Sequence, residues 1–287
     1  MARMNSKVAV ARLSILSNTL LITMKVVAGI LSGSVSIISE AIHSFMDLLA
    51  SVVAYFSVRI SGVPADSRHP YGHGKFENIS GVVEALLIFI AVFWIIYEAV
   101  HKIIRPEPVG QFAIAVAVMA VSAVVNLIVS RKLYKVARET DSVALEADAL
   151  HLKTDVYTSA GVAAGLLLMW ITGIHLLDPL VAILVALLIL KESFELFRRA
   201  FAPLLDHALP DAEVKEIAAI IGRHCTGRMD FHDLRTRKAG SQKYIDFHLN
   251  LDPEMRVREA HELCDRIEQD LKNALREAEV TIHVENF

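Results

Sequence analysis

Six long apolar runs fill most of the first 205 residues, and nothing else in the chain limits its fold as strongly. They cover about 8–31, 35–60, 78–101, 110–133, 146–172 and 177–199. A helix that crosses a bilayer needs roughly 20 mostly apolar residues, and each run is long enough. The chain is 54% hydrophobic with a mean hydropathy of +0.46, too apolar for an ordinary soluble domain. The breaks carry turn residues: Ser32, Gly33 and Ser34, then Pro106 and Pro108, then Thr172 and Gly173 with Asp178 and Pro179. No cleavable signal peptide is read at the start, where Arg3, Lys7 and Arg12 precede a run of spanning length.

Basic residues set the expected orientation. The N-terminus, the loop over 59–75, the stretch 131–138 and the exit at Arg198 and Arg199 all fall on one side. The other side has only His101, Lys102 and Arg105 at one of its turns, so both termini are expected in the cytoplasm. The net charge of −3 singles out no partner, and nothing suggests nucleic acid. Cys225 and Cys264 sit in no metal-binding spacing and read as reduced thiols.

Beyond about residue 205 the pattern changes. Pro210 and Asp211 open an amphipathic helix to about His224, alternating stretches near 229–238 and 242–251 form a hairpin, a second helix covers about 257–278, and VTIHVEN reads as a strand. The expected fold is therefore an α-helical membrane protein with six transmembrane helices over 1–205. A small α+β domain of order αββαβ follows over 206–287, with two helices on one face of an open sheet.

Two of the apolar runs each contain a histidine and an aspartate four residues apart: His43 with Asp47, and His151 with Asp155. That spacing places both side chains on one helix face, one turn apart. A carboxylate near mid-bilayer costs about 2.5–3.5 kcal/mol on insertion scales, so a pair of them marks a function. Two imidazole nitrogens and two carboxylate oxygens make a tetrahedral set suited to Zn²⁺, and disfavour hard ions such as Mn²⁺ and Mg²⁺. Asn18, Glu40, Glu84, Asn126 and Asp148 are further polar residues in the runs that either line an aqueous path or, for most, serve as interhelical hydrogen-bond partners or lie near the interface; none is read as a ligand. Lys153 points to another face and either snorkels or pairs with an acid.

Between the second and third runs, DSRHPYGHGKFE offers Asp66, His69 and His73, either a first-row metal site or a solvated polar loop. In the C-terminal part, His232, His248, His261 and His283 are spread over the strands and second helix, with Glu285 on the face of His283. Spacing alone leaves open whether they converge or are scattered surface residues.

Taken together, the HxxxD pairs, the DxxHxxGHGKxE loop, LxDHALP after the sixth run and HDLRTRxxG in the tail resemble the cation diffusion facilitator family. Within it the chain is most similar to the bacterial ferrous-iron/zinc efflux subgroup. The resemblance implies proton-coupled export of divalent metal by a homodimer through alternating access, in the inner (plasma) membrane, with a ferredoxin-like cytoplasmic domain. It implies a transport site of His43, Asp47, His151 and Asp155, and a loop site of Asp66, His69 and His73. It also implies a cytoplasmic binuclear site of His232, His248, His261 and His283 with Glu285, and an inter-subunit charge contact through Lys75 and Asp206. Glu285 stands where relatives usually have Asp, and His43 where the subgroup often has Asp. Zn²⁺ is the expected ion, with Fe²⁺, Cd²⁺, Co²⁺ or Mn²⁺ as alternatives. A sensor or scaffold that binds without translocating is the other reading. An intramembrane metalloprotease is not expected, because HExxH is absent and the four positions leave no open site for water.

Overall fold

A computed structural model describes residues 2–32, 35–105, 113–174 and 176–286. Its elements, in order, are α1 (Ala2–Ser32), α2 (Val35–Ser61), α3 (Lys75–Ile104), α4 (Ala113–Thr140), α5 (Val143–Thr172) and α6 (Leu177–Phe201). A short 3-10 turn, Ala202–Leu205, precedes α7 (Asp211–His224), β1 (Asp230–Ala239), β2 (Gln242–Leu251), α8 (Val257–Ala274) and β3 (Ala278–Asn286). The chain divides into two compact units, Met1–Phe201 and Ala202–Phe287.

The helical unit distributes polarity in the reverse of a water-soluble domain. Leu16, Leu20, Ile90, Phe93, Trp94 and Leu184 are exposed, while Asn18, Asp47, Glu84, Asp148 and Ser193 are buried. An apolar outside around a hydrogen-bonded polar inside is the solution a bilayer selects, because lipid cannot satisfy a polar group. Among the described residues two stretches, Met4–Ala28 and Lys75–Ile104, are long and apolar enough to cross a membrane by length and composition alone. In α5 the residues Glu146, Asp148, Lys153 and Asp155 dilute the hydropathy in the same turns that carry the candidate site.

Small residues set the helix spacing. A Cβ on Gly161 of α5 would stand 2.8 Å from Val185 of α6, so glycine there permits the two helices to approach. At one end of the unit a buried ion pair joins Lys7 of α1 to Glu77 of α3 at 3.0 Å, with both side chains at most 5% exposed. Glu77 also accepts hydrogen bonds from Ser61 of α2 (2.8 Å) and Ser142 beside α5. One carboxylate thus ties four helices, and its lone pairs are filled as a buried charge requires.

In the second unit β2 is central, antiparallel to β1 and parallel to β3. Ile245, Phe247, Leu249 and Leu251 alternate along β2 and pack with Ile217, Ile220 and Ile221 of α7 and Leu263, Ile267 and Leu271 of α8. Period two in the strand and period four in α8 meet in one core. The intervening residues Asp246, His248 and Asn250 take the opposite face. α8 ends at Ala274 rather than at about 278, since Glu277 adopts a left-handed backbone (φ 53°) just before β3.

Candidate metal centres

The first cluster lies inside the helical unit. Asp47 of α2 and His151 and Asp155 of α5 each offer one ligand atom, and these atoms lie within 4.8 Å of one another. His151 Nε2 is 2.9 Å from Asp47 Oδ1, and Asn126 Nδ2 of α4 donates to Asp155 Oδ2 at 3.2 Å. His43 lies one turn before Asp47 on α2, and its side chain is outside the described residues. The Asp47 side chain is 6% exposed and that of His151 12%. Two carboxylates and an imidazole at this depth need a cation or protons to offset their charge. With Nε2 protonated, His151 donates to Asp47, which fills the direction a metal ion would take. The same nitrogen cannot hold both.

A polar scaffold stands behind the cluster. Asp148 Oδ1 accepts from Ser14 Oγ (3.1 Å) and Ser51 Oγ (3.0 Å). Asn18 Nδ2 donates to Ser51 Oγ at 2.7 Å and to the Asp47 carbonyl at 3.4 Å. These bonds join α1, α2 and α5 around the backbone that carries Asp47, so they fix where its carboxylate points. Asn18, Asn126 and Asp148 therefore act as interhelical partners, and Asn126 reaches a candidate ligand directly. Their only sequence signal is polarity within apolar runs. Lys153 pairs with Glu192 of α6 at 2.8 Å.

The second cluster is the loop between α2 and α3. Asp66 Oδ1 accepts the backbone N–H groups of Arg68 (2.8 Å) and His69 (2.7 Å), closing a tight polar turn. Those donors, that of His69 first, hold the Asp66 carboxyl below the ordinary carboxylate range. His73 Nε2 lies 3.5 Å from Asp66 Oδ2 and His69 Nδ1 3.3 Å from Asp66 Oδ1. His73 Nδ1 is 3.3 Å from the Val63 carbonyl, so with the proton on Nδ1 the lone pair of Nε2 faces the cluster. Gly72, at φ 79°, supplies the left-handed turn that folds His73 back toward Asp66.

The third cluster lies on the open face of the sheet. Register places His232, His248 and His283 side by side across β1, β2 and β3. Glu285 reaches all three: Oε1 is 3.1 Å from His248 Nδ1 and 3.5 Å from His283 Nε2, and Oε2 is 3.4 Å from His232 Nε2. The longer glutamate side chain thus spans the histidine row. A register shift follows His232, with Asp233 at φ 51°, and leaves His232 and Leu234 on opposite faces. His261 is placed elsewhere: on α8 it pairs with Asp265 at 3.7 Å, on the layer opposite the histidine row. Asp206 lies 3.7 Å from Arg237 Nη1 within this unit. His224, not singled out from the sequence, bridges α7 to Asp270 of α8 at 2.9 Å, a packing contact.

The chain is similar to known proteins over nearly its whole length. The family model for the cation efflux transmembrane domain matches residues 11–205, and that for the cytoplasmic domain of cation efflux proteins matches 209–287. The cation-efflux pump FieF of Shewanella oneidensis is 34% identical over 273 residues, 95% of this chain and 92% of that protein. FieF of Salmonella paratyphi A is 32% identical over 281 residues, 98% of this chain and 92% of that one. The uncharacterized transporter sll1263 of Synechocystis sp. is 35% identical over 262 residues, 91% and 84%. The chain belongs to the cation efflux, or cation diffusion facilitator, family and is a membrane protein with a transmembrane domain and a cytoplasmic domain.

Proposed function

We propose that this protein is a homodimeric proton-coupled antiporter that exports divalent cations, Zn²⁺ foremost, across the inner membrane by alternating access. The observation that carries this reading is the Asp47–His151–Asp155 cluster between α2 and α5, with Asp47 buried and His151 Nε2 2.9 Å from it. His43, by its position on α2, completes a two-nitrogen, two-oxygen set that suits zinc. All six helices span the bilayer in this reading, with both termini in the cytoplasm. Metal arriving from the cytoplasm displaces the histidine protons. Rearrangement of the bundle then exposes the site outside, where protons return and release the ion.

The loop and sheet clusters serve as regulatory or structural zinc sites on the cytoplasmic side. Asp66, His69 and His73 form the loop site, and His232, His248, His283 and Glu285 the core of the sheet site. His261 belongs to the latter only if assembly or motion brings α8 to the open face. The test is metal flux into proteoliposomes under an imposed pH gradient, for the intact protein and for Asp155→Ala. Gradient-driven zinc flux that disappears in the variant supports the reading. Zinc binding without flux in either protein, repeated with Fe²⁺, Cd²⁺, Co²⁺ and Mn²⁺, makes the protein a sensor or scaffold instead.

A further inference from the structure

A cavity of about 890 Å³ opens between α4, α5 and α6, apart from all three metal clusters. Five cations line it: Arg131, Lys135 and Arg138 of α4, Lys153 of α5 and Arg199 of α6. Two of these are neutralised within the wall, Lys153 by Glu192 (2.8 Å) and Arg199 by Glu146 (2.9 Å). Arg131, Lys135 and Arg138 form no ion pair among the described residues, and all three are exposed. Their spacing of four and then three residues places them on one face of α4. Glu139 and Glu195 also border the cavity, and they leave the cations in excess.

Leu127, Leu150, Val156 and Leu196 supply apolar wall, Tyr134 and Tyr157 flank Lys153, and Arg131, Lys135 and Arg138 run toward the end of α4. From Arg131 to Arg138 the helix rises about 10 Å, comparable with the polar headgroup layer of one leaflet, roughly 5–8 Å thick. Apolar wall residues, two tyrosines, and five cations against four carboxylates, with Arg131, Lys135 and Arg138 on one face of α4, match the acyl chain, glycerol backbone and phosphodiester that an anionic lipid combines.

We infer that the α4–α5–α6 cavity is a binding site for one anionic phospholipid of the cytoplasmic leaflet, its headgroup phosphate held by Arg131, Lys135 and Arg138. The leaflet follows from the orientation proposed above; the binding itself does not depend on transport. The phosphate bridges the α4 cations, and the acyl chains descend past Val156 between α4 and α6. A bound lipid therefore holds these two helices at a set distance across α5.

The test is native mass spectrometry of the full-length protein released from nanodiscs containing phosphatidylglycerol and phosphatidylcholine. The intact protein is expected to retain one phosphatidylglycerol per chain, and R131Q/K135Q/R138Q about tenfold less or lower. K132Q, which removes a neighbouring α4 cation outside the cavity, is expected to match the intact protein. Equal retention by the triple variant, or retention of phosphatidylcholine as strong as of phosphatidylglycerol, overturns the inference. Displacement of the lipid by millimolar inorganic phosphate also overturns it, by showing a site for a free anion. If the triple variant does not remain monodisperse, R131Q and R138Q are measured singly; each is expected to lose retention severalfold, and no loss in either overturns the site.

Discussion

The cluster inside the helices and the cluster on the sheet use nearly the same atoms in opposite surroundings. Asp47, His151 and Asp155 are enclosed between helices, with Asn126, Ser14, Ser51 and Asn18 holding the groups around them. His232, His248, His283 and Glu285 stand on an open strand face, one-third to two-thirds exposed. In the reading proposed above, protons and metal compete for the same lone pairs, and at the enclosed cluster each change of occupant alters the charge of a low-dielectric surrounding. On the sheet, water screens the same exchange. The donor atoms provide affinity in both places. In the same proposed reading, only the enclosed site couples its occupant to the packing of the helices around it.

The largest effect that would break this contrast is loss of transport. Asp47→Ala or Asp155→Ala is expected to reduce zinc flux at least about a hundredfold, because a tetrahedral site that loses a ligand and a charge loses several kcal/mol of binding. His232→Ala with His248→Ala should leave maximal flux within about threefold and change only its dependence on zinc concentration. Equal losses from both pairs would erase the distinction.

Next in size is stability. Glu77→Gln leaves Lys7 without its counter-charge and replaces one of the two acceptor oxygens that serve Ser61 and Ser142 with an NH2 donor, so unfolding should become easier by about 3–5 kcal/mol. In the second unit Lys243 pairs with Glu213 at partial exposure. Lys243→Gln should cost at most about 1 kcal/mol. Thermal or denaturant unfolding of the purified protein compares the two.

The comparison also shows what a sequence can and cannot reveal. Helix and strand order follow from apolar periodicity and from Pro, Gly and Asp at the breaks. The HxxxD pairs are legible because both partners sit on one helix, where spacing fixes direction. The Asp148–Ser14–Ser51–Asn18 scaffold is not legible in this way, since Asp148 and Ser14 are 134 positions apart and meet only through helix packing. His232, His248 and His283 can be placed on strands from the pattern, but their lateral alignment depends on register. His261 shows the limit: the sequence offers a fourth histidine, and the fold sets it on α8 beside Asp265.

A smaller effect sharpens the loop against the two other clusters. The Asp66 carboxyl is held low by the N–H groups of His69 and Arg68. A depressed carboxylate contributes fully above its unfolded pKa of about 3.9 and loses that contribution as pH falls through the lower folded value. Protection of the His69 amide against hydrogen exchange should therefore hold steady from neutral pH to about 5, and weaken only in stronger acid. The smallest effect concerns the thiols. Burial raises the pKa of both Cys225 and Cys264. Neutral-pH alkylation should be slower than for a free thiol and should leave zinc flux unchanged.

The most direct test of the central claim, that metal and protons compete for the enclosed cluster, is proton release on zinc binding. It is measured by titration calorimetry in buffers of different ionisation enthalpy. In a variant whose loop and sheet sites are removed (His69→Ala, His73→Ala, His232→Ala, His283→Ala), zinc should bind and release about one proton or more per ion. Adding Asp47→Ala and Asp155→Ala should abolish both the binding and the release. Zinc bound at the enclosed cluster with no proton released, or binding that survives loss of both carboxylates, would contradict the account.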